Sequence, residues 1–480
     1  MRFKTAAILL SFFLPGAFAG AGNALAEEPA APPSALIEDV DGYVQRFMSK
    51  RHVPGVSIAV AQDGRLVLAK GYGLANVELG VEATADTVYQ LASVTKTFTA
   101  TAIMMLARDG KLSLDDKITE RLPDLPEAWR DVTVRQLLNH TSGIKSYTSV
   151  KDFHTMMRKD FAQREILDLV AKDPLEFQPG EKMSYSNTGY FLLGMLIEKV
   201  AGKSYGEFMD ERIFRPLGMA HTRANDLRAI IPNRADGYSW DGKELRNGEY
   251  VSPTQPFAAG MLVSTVGDLA KWDAAIARRT LLDESTYEEM WSPTRLNDGS
   301  ESGYGLGWGT SKVNGRRRVS HGGGIPGFST EFERYPDDGL AVIVLTNAEG
   351  GHAEALARGV AGRFVPELAE NRPEPIADQD PPTTERLKRM FEGALRGEID
   401  EDLFTAEAKK QLAPRIRDDK ERLASFGALK SFQLLERKEE EGGARLRYRV
   451  VLENETVNLH FSLDKDGKIQ GAGIQLADPE

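Results

Sequence analysis

The chain has 480 residues, 41% hydrophobic and 27% charged, with 45 glycines, 23 prolines and no cysteine. This composition excludes a disordered, collagenous or disulfide-stapled protein and supplies apolar material for more than one core. The formal charge is −11, with acidic and basic residues interleaved, so there is neither a basic nucleic-acid footprint nor a polybasic membrane patch, and small molecules or peptides are the expected partners.

The N-terminus carries Arg2 and Lys4, an apolar run over 6–14 interrupted only by Ser11, then Pro15 and small residues ending Ala24-Leu25-Ala26 before Glu27. That order predicts a signal peptide over residues 1–26 and a periplasmic or secreted mature chain. The run is shorter than the roughly 20 residues of a membrane-spanning helix and no comparable run follows, so no membrane span is expected.

Dense apolar residues over 55–70 surround Asp63-Gly64, a dipeptide suited to a tight turn, which predicts a β-hairpin. Beyond Ser93, the residues Phe98, Ala102, Met105 and Leu106 recur at helical spacing up to Gly110, and the helix is apolar on most sides, hence buried. Further helical patterns fall at 134–138, 166–171, 190–200 and 266–277. Strand-like runs return at 305–308, 318–321, 328–335 and 340–346. Strands at both ends of a region with helices between them predict an α+β architecture, one antiparallel sheet built from distant segments with an inserted helical part. The proline-rich stretch 366–384 reads as a linker closing a domain of residues 27–365. After it, helical patterns at 385–395 and 409–424 precede alternating strands at 446–452 and 457–463, which predicts a small α+β accessory domain over 385–480, expected to pack on the larger one.

Three short motifs could carry chemistry. In Ser93-Val94-Thr95-Lys96 the hydroxyl and the amine lie three residues apart on one helix face, and a lysine of lowered pKa can take a serine proton. Taken alone, the same four residues describe a serine N-cap beside an exposed lysine. Tyr185-Ser186-Asn187 offers a phenol for proton relay and a side-chain amide that both donates and accepts, although it equally describes a turn leading into a helix. His321-Gly322-Gly323-Gly324 would let a substrate backbone approach a strand edge and leave the Gly324 N–H available to an oxyanion, where a plain bulge is the bland alternative. The arginines 316–318 just before it read as a solvated hairpin tip and His140 as a loop histidine satisfied by hydrogen bonds. The seven histidines are scattered, with no His-Glu-x-x-His pair, so no metal and no cofactor is expected. No Gly-x-Ser-x-Gly elbow stands out either.

In this order and spacing the three motifs resemble those of the serine β-lactamase and penicillin-binding-protein superfamily, most closely its class C-like, DD-peptidase-like branch. The runs Leu137-Leu138-Asn139-His140-Thr141-Ser142-Gly143, Ser264-Thr265-Val266-Gly267-Asp268-Leu269 and Tyr304-Gly305-Leu306-Gly307-Trp308 are similar to family landmarks too. The resemblance implies the family's antiparallel sheet flanked by helices with an all-helical subdomain. It implies Ser93 as acylated nucleophile, Lys96 and Tyr185 as acid and base in unassigned order, Asn187 on the substrate amide, and the Ser93 and Gly324 N–H groups as oxyanion hole. His321, Gly322 and Gly323 would line the substrate. Many relatives place lysine at the histidine position. If a protonated His321 holds an acidic substrate, activity on it should fall between about pH 6 and 8 relative to neutral esters, and a histidine mostly neutral at pH 7 shifts weight from β-lactam turnover to esterase or D-amino-acid peptidase activity. The implied function is hydrolysis of D-Ala-type peptides or β-lactams, with a carboxylesterase of the same fold or a non-turning-over acyl trap or sensor as alternatives. Nothing comparable marks the C-terminal part, whose pattern resembles the small cone-shaped domains of the nuclear-transport-factor-like group.

Overall fold

The structure, a computed structural model, describes residues 32–369, 374–440 and 442–477; the expected signal peptide lies outside them. The first helix, α1 (Ser34–Arg51), buries Val40, Tyr43, Val44 and Phe47, an i, i+3, i+4, i+7 stripe. A hairpin follows, β1 (Gly55–Gln62) and β2 (Arg65–Asn76), turning through Asp63 and Gly64 at φ +52° and +68°. After β3 (Val81–Glu82) come α2 (Thr95–Arg108), α3 (Asn187–Ala201) and α4 (Val266–Ala277). The strands β4 (Gly309–Val313), β5 (Arg316–Ile325), β6 (Phe328–Tyr335) and β7 (Leu340–Thr346) then lead into α5 (Ala353–Phe364).

These strands form one antiparallel sheet in the order β3-β2-β1-β7-β6-β5-β4, so β1 near the start pairs with β7 nearly 300 residues on, Val56 opposite Thr346. Side chains alternate between two cores, as strand geometry requires. On one face Val56, Ile58, Val342 and Val344 pack with α1 and α5; on the other Ala59, Ile343 and Leu345 join the larger core that holds Phe98 of α2 and Trp272 of α4. Because both faces are covered, β1 and β7 are buried along nearly their whole length.

The C-terminal part has its own core. Helices α6 (Pro381–Leu395), α7 (Ala406–Asp418) and α8 (Lys420–Ala424) pack on the four-stranded antiparallel sheet β8 (Leu429–Glu440), β9 (Gly443–Leu452), β10 (Thr456–Asp464) and β11 (Ile469–Leu476) through Leu387, Phe391, Tyr448, Val450, Leu459 and Phe461. Arg51 at the end of α1 pairs with Glu455 in the turn between β9 and β10, both side chains almost wholly buried.

Four expectations need correction. Residues 305–308 are not a strand: they form bends, and the strand starts at Gly309. The reason is Gly307 at φ +83°, where a Cβ would lie 2.4 Å from that of Ala100 on α2, so this segment is a close-packed turn. The expected linker is shortened at both ends, by a helical turn at Pro366–Leu368 and by α6, whose first residues are Pro381 and Pro382. Prolines suit a first helical turn, where N–H groups have no intrahelical partner, and Asp380 accepts from the Thr383 N–H as cap. The helical pattern over 409–424 divides into α7 and α8 at Asp419. Arg318 is no solvated tip: it is buried, donating to Glu333 at 2.8 Å and to Glu331 at 3.1 Å, with Glu354 of α5 at 3.2 Å.

Candidate active site

Ser93 sits in a tight helical turn, Ala92–Val94, between the short strand Tyr89–Gln90 and α2. Ala92 is held at φ +46°, a left-handed conformation costing a non-glycine residue about 1 kcal/mol, and this bend sets the serine at the head of the helix. One turn on, Lys96 is completely buried. Its Nζ lies 3.0 Å from Ser93 Oγ, 2.9 Å from Asn187 Oδ1 and 2.8 Å from the Ala259 carbonyl, and donates to the latter two. No carboxylate is among these partners, so burial pushes the amine well below its usual pKa. A neutral amine has two hydrogens and one lone pair. The hydrogens satisfy the two obligate acceptors, and the lone pair is left for the Ser93 O–H.

Asn187 opens α3 and is fixed from three sides. Its backbone N–H donates to Ser146 Oγ at 3.1 Å, its Nδ2 donates to Thr148 Oγ1 at 3.2 Å, and its Oδ1 takes the Lys96 hydrogen. Tyr185, two residues earlier, leaves 39% of its surface open to the cleft, yet its hydroxyl is desolvated beside Ser93. Desolvation pushes the phenol up, and the hydrogen bond with Ser93 offsets only part of this, so it stays protonated at neutral pH. The Lys96 Nζ lies 4.8 Å from the centre of the Tyr185 ring.

The far wall is β5. Its pairing with β4 ends at Ser320, so the stretch from His321 to Ile325 has no strand on that side. Gly323 passes so close to the serine turn that a Cβ there would lie 2.3 Å from the Leu91 carbonyl and 3.1 Å from the Ser93 nitrogen; only glycine fits. A Cβ at Gly322 would meet the Glu331 carboxylate at 2.8 Å, whereas Gly324 faces open space. Ser93, Asn187 and Gly324 line one cavity of about 230 Å³, walled by Tyr147, Phe153, Met157, Val251, Pro256, Ile325 and Pro326, with no charged side chain in the lining.

His321 departs from its expected behaviour. Its Nδ1 is 2.7 Å from the Gly322 carbonyl and its Nε2 2.8 Å from the Tyr304 hydroxyl. The Gly322 carbonyl can only accept, so Nδ1 carries a hydrogen, while the Tyr304 hydroxyl can donate to Nε2 or accept from it. Burial, the largest cause, lowers its pKa to about 3. It therefore does not act as a cation for an acidic substrate between pH 6 and 8; the expectation of a protonated His321 fails on its burial, which the sequence does not reveal. The arginines before it supply no replacement: Arg316 and Arg317 pair with Asp338 and Asp337, and Arg318 is turned to the opposite side of the sheet with Glu331 and Glu333.

His140 gains a place at the site that sequence reasoning did not give it. It adopts φ +59°, is buried, accepts from the Ser186 N–H through Nδ1 at 3.1 Å, and packs tilted by 35° against Tyr185 with ring centres 4.2 Å apart. Burial keeps its pKa well below the usual imidazole value. The only clue in the sequence was its position inside the Leu137–Gly143 landmark run.

A family model described as beta-lactamase matches residues 40–365, most of the chain. The chain belongs to the β-lactamase family. It is similar to penicillin-binding protein 4* of Bacillus subtilis, 32% identical over 63% of this chain and 70% of that protein. It spans about two thirds of the length of the curated relatives it matches. Among solved structures, the octameric penicillin-binding-protein homologue from Pyrococcus abyssi aligns over 92% of this chain and 96% of its own, at TM-score 0.63 and 26% identity. That share exceeds what residues before 366 could supply, so the match includes part of the C-terminal region. The D-amino acid amidase from Ochrobactrum anthropi SV3 aligns over 70% of this chain and 97% of its own, at TM-score 0.60 and 29% identity. These likenesses place the chain among hydrolases of the β-lactamase and penicillin-binding-protein fold.

Proposed function

We propose that this protein is a serine hydrolase that cleaves amides or esters lacking a free carboxylate and bearing an apolar side chain, D-amino-acid amides foremost, through an acyl-enzyme on Ser93. The observation that carries the proposal is the buried Lys96 amine, 3.0 Å from Ser93 Oγ with only uncharged partners. In the forward step the Ser93 oxygen bonds to the substrate carbonyl carbon while its proton passes to the Lys96 lone pair. Tyr185, kept protonated by desolvation, gives its proton to the departing nitrogen or oxygen, and the Lys96 ammonium restores it. The developing oxyanion is received by the Ser93 and Gly324 N–H groups, and the second hydrogen on Asn187 Nδ2 is available to a substrate carbonyl. Water then replaces the leaving group and the proton transfers reverse.

The substrate class follows from the walls. No charged residue lines the cavity, and His321 is neutral, so a free carboxylate finds no cation there. The Ochrobactrum amidase and the Streptomyces D-stereospecific amidohydrolase, both 29% identical to this chain, support an amide of a D-amino acid. Export to the periplasm or medium, suggested by the leader-like N-terminal run, belongs to the same proposal. A panel of D- and L-phenylalanine amides, p-nitrophenyl esters, a D-Ala-D-Ala peptide and a chromogenic cephalosporin tests it. The D-amide and the esters should be turned over and the carboxylate-terminated peptide should not; preference for the peptide would refute the assignment.

Two predictions concern the histidines. The pH profile for a neutral ester should be the same in His321→Gln as in the parent between pH 6 and 8. Stability carries the opposite sign: unfolded histidines take up protons below about 6.5, while His321 resists until about 3, so stability present above 6.5 is lost as pH falls toward 3. A urea titration at pH 7, 5.5 and 4.5 should show the midpoint falling, and His321→Gln should flatten the fall. His140→Phe keeps the ring contact with Tyr185 but leaves the Ser186 N–H unpaired. We expect kcat to drop about tenfold or more with KM little changed, and His140→Asn, whose Oδ1 can replace Nδ1, to recover part of it. Equal loss in both variants would reduce His140 to a packing role.

A further inference from the structure

The C-terminal unit holds a second cavity, of about 300 Å³, between its helices and the inner face of its sheet. Its walls include Phe391 of α6, Leu412 and Ile416 of α7, Phe461 of β10, and Ala472 and Ile474 of β11. Leu412, Ile416, Ala472 and Ile474 belong to the core under the sheet yet are only partly buried, because each also borders this unfilled space. An apolar concavity of this size lies at the lower end of the range for small-molecule sites.

Three charged residues complete the lining. Arg422 pairs with Asp419 at 2.6 Å, whereas Arg415 on α7 has no ion-pair partner among the described residues. The site therefore combines an apolar interior with one uncompensated guanidinium. We propose that this cavity binds a monocarboxylate with an apolar body, its carboxylate on Arg415 and its chain among Leu412, Ile416, Phe461 and Ile474. At about 30 Å³ per packed atom, the volume suits about ten non-hydrogen atoms, the size of octanoate or a short aryl-alkanoate. A guanidinium favours a planar carboxylate through paired N–H donors. Asp419 beside it sets the limit at one negative charge, since a dianion would be repelled by the same carboxylate that neutralises Arg422.

Calorimetric titration of the full-length Ser93→Ala protein with octanoate and with octanamide tests the assignment. Octanoate should bind saturably and at least tenfold more tightly than the amide, and Arg415→Gln should remove that difference. Ala472→Phe, which fills the cavity from the sheet side, and Leu412→Trp, which fills it from the helix side, should each abolish binding of both compounds. Introduced into the chain with Ser93 intact, the filling substitutions should leave ester hydrolysis within about twofold of the parent, and unchanged proteolytic resistance of the C-terminal part reports that it is folded. Absence of saturable binding, equal affinity for octanoate and octanamide, or octanoate binding that survives both filling substitutions would each overturn the proposal; the last would locate the ligand in the Ser93 cavity.

Discussion

Lys96→Met should lower kcat/KM for an ester substrate by about 10⁴-fold, the upper range for a positioned general base, with the chain still folded by its melting temperature. The amine is wholly buried, and its partners are Ser93 Oγ, Asn187 Oδ1 and the Ala259 carbonyl. None of these stabilises an ammonium as a carboxylate would, so desolvation decides its state and leaves a lone pair directed at the serine. Tyr185 cannot take over, because desolvation pushes its phenol up and the phenolate is too rare at neutral pH. Lys96→Arg separates proton transfer from electrostatics: arginine keeps the charge and cannot be deprotonated. The two variants should be equally inactive, and recovery by arginine would make the lysine a fixed cation rather than a base.

The second large effect is on stability. Arg318→Met strands two buried carboxylates, Glu331 and Glu333, which now accept from its guanidinium at 3.1 Å and 2.8 Å. Removing one partner of a buried ionic group costs about 3–5 kcal/mol. The sign of the pH dependence follows. Burial already raises both glutamates, and without the guanidinium they rise further above the unfolded value of 4.5. A raised carboxyl contributes stability that is present below the unfolded pKa and lost as pH rises through the folded one. The variant should therefore be most destabilised near pH 7 and approach the parent near pH 5. Denaturant unfolding at both values measures this, and a penalty independent of pH would show that lost packing dominates. Because Glu331 abuts Gly322, the same substitution should loosen the glycine strand beside Ser93.

These two clusters show what could be read along the chain and what could not. The pairing of Ser93 with Lys96 was legible because it is local: residues three apart share a helix face whatever the rest of the fold does. The helix 266–277 and the strand 340–346 matched for a similar reason, their apolar patterns being uninterrupted. Arg318 was misjudged because its partners stand on the neighbouring strand and on α5, outside any local window. His321 loses its charge through burial against Tyr304 and Lys96, which composition does not encode. His140 matters through Ser186, 46 residues away. Strand β8 passed unrecognised because its second half, with Glu436, Lys438, Glu439 and Glu440, carries little apolar signal, and its place is set by pairing with β9.

The central claim is that Ser93 becomes acylated, and intact-mass spectrometry of acid-quenched protein after brief exposure to a p-nitrophenyl ester tests it most directly. One acyl mass should appear, map to the peptide containing Ser93, decay as product accumulates, and be absent from Ser93→Ala. An adduct on another residue, or turnover that persists undiminished in Ser93→Ala, would contradict it.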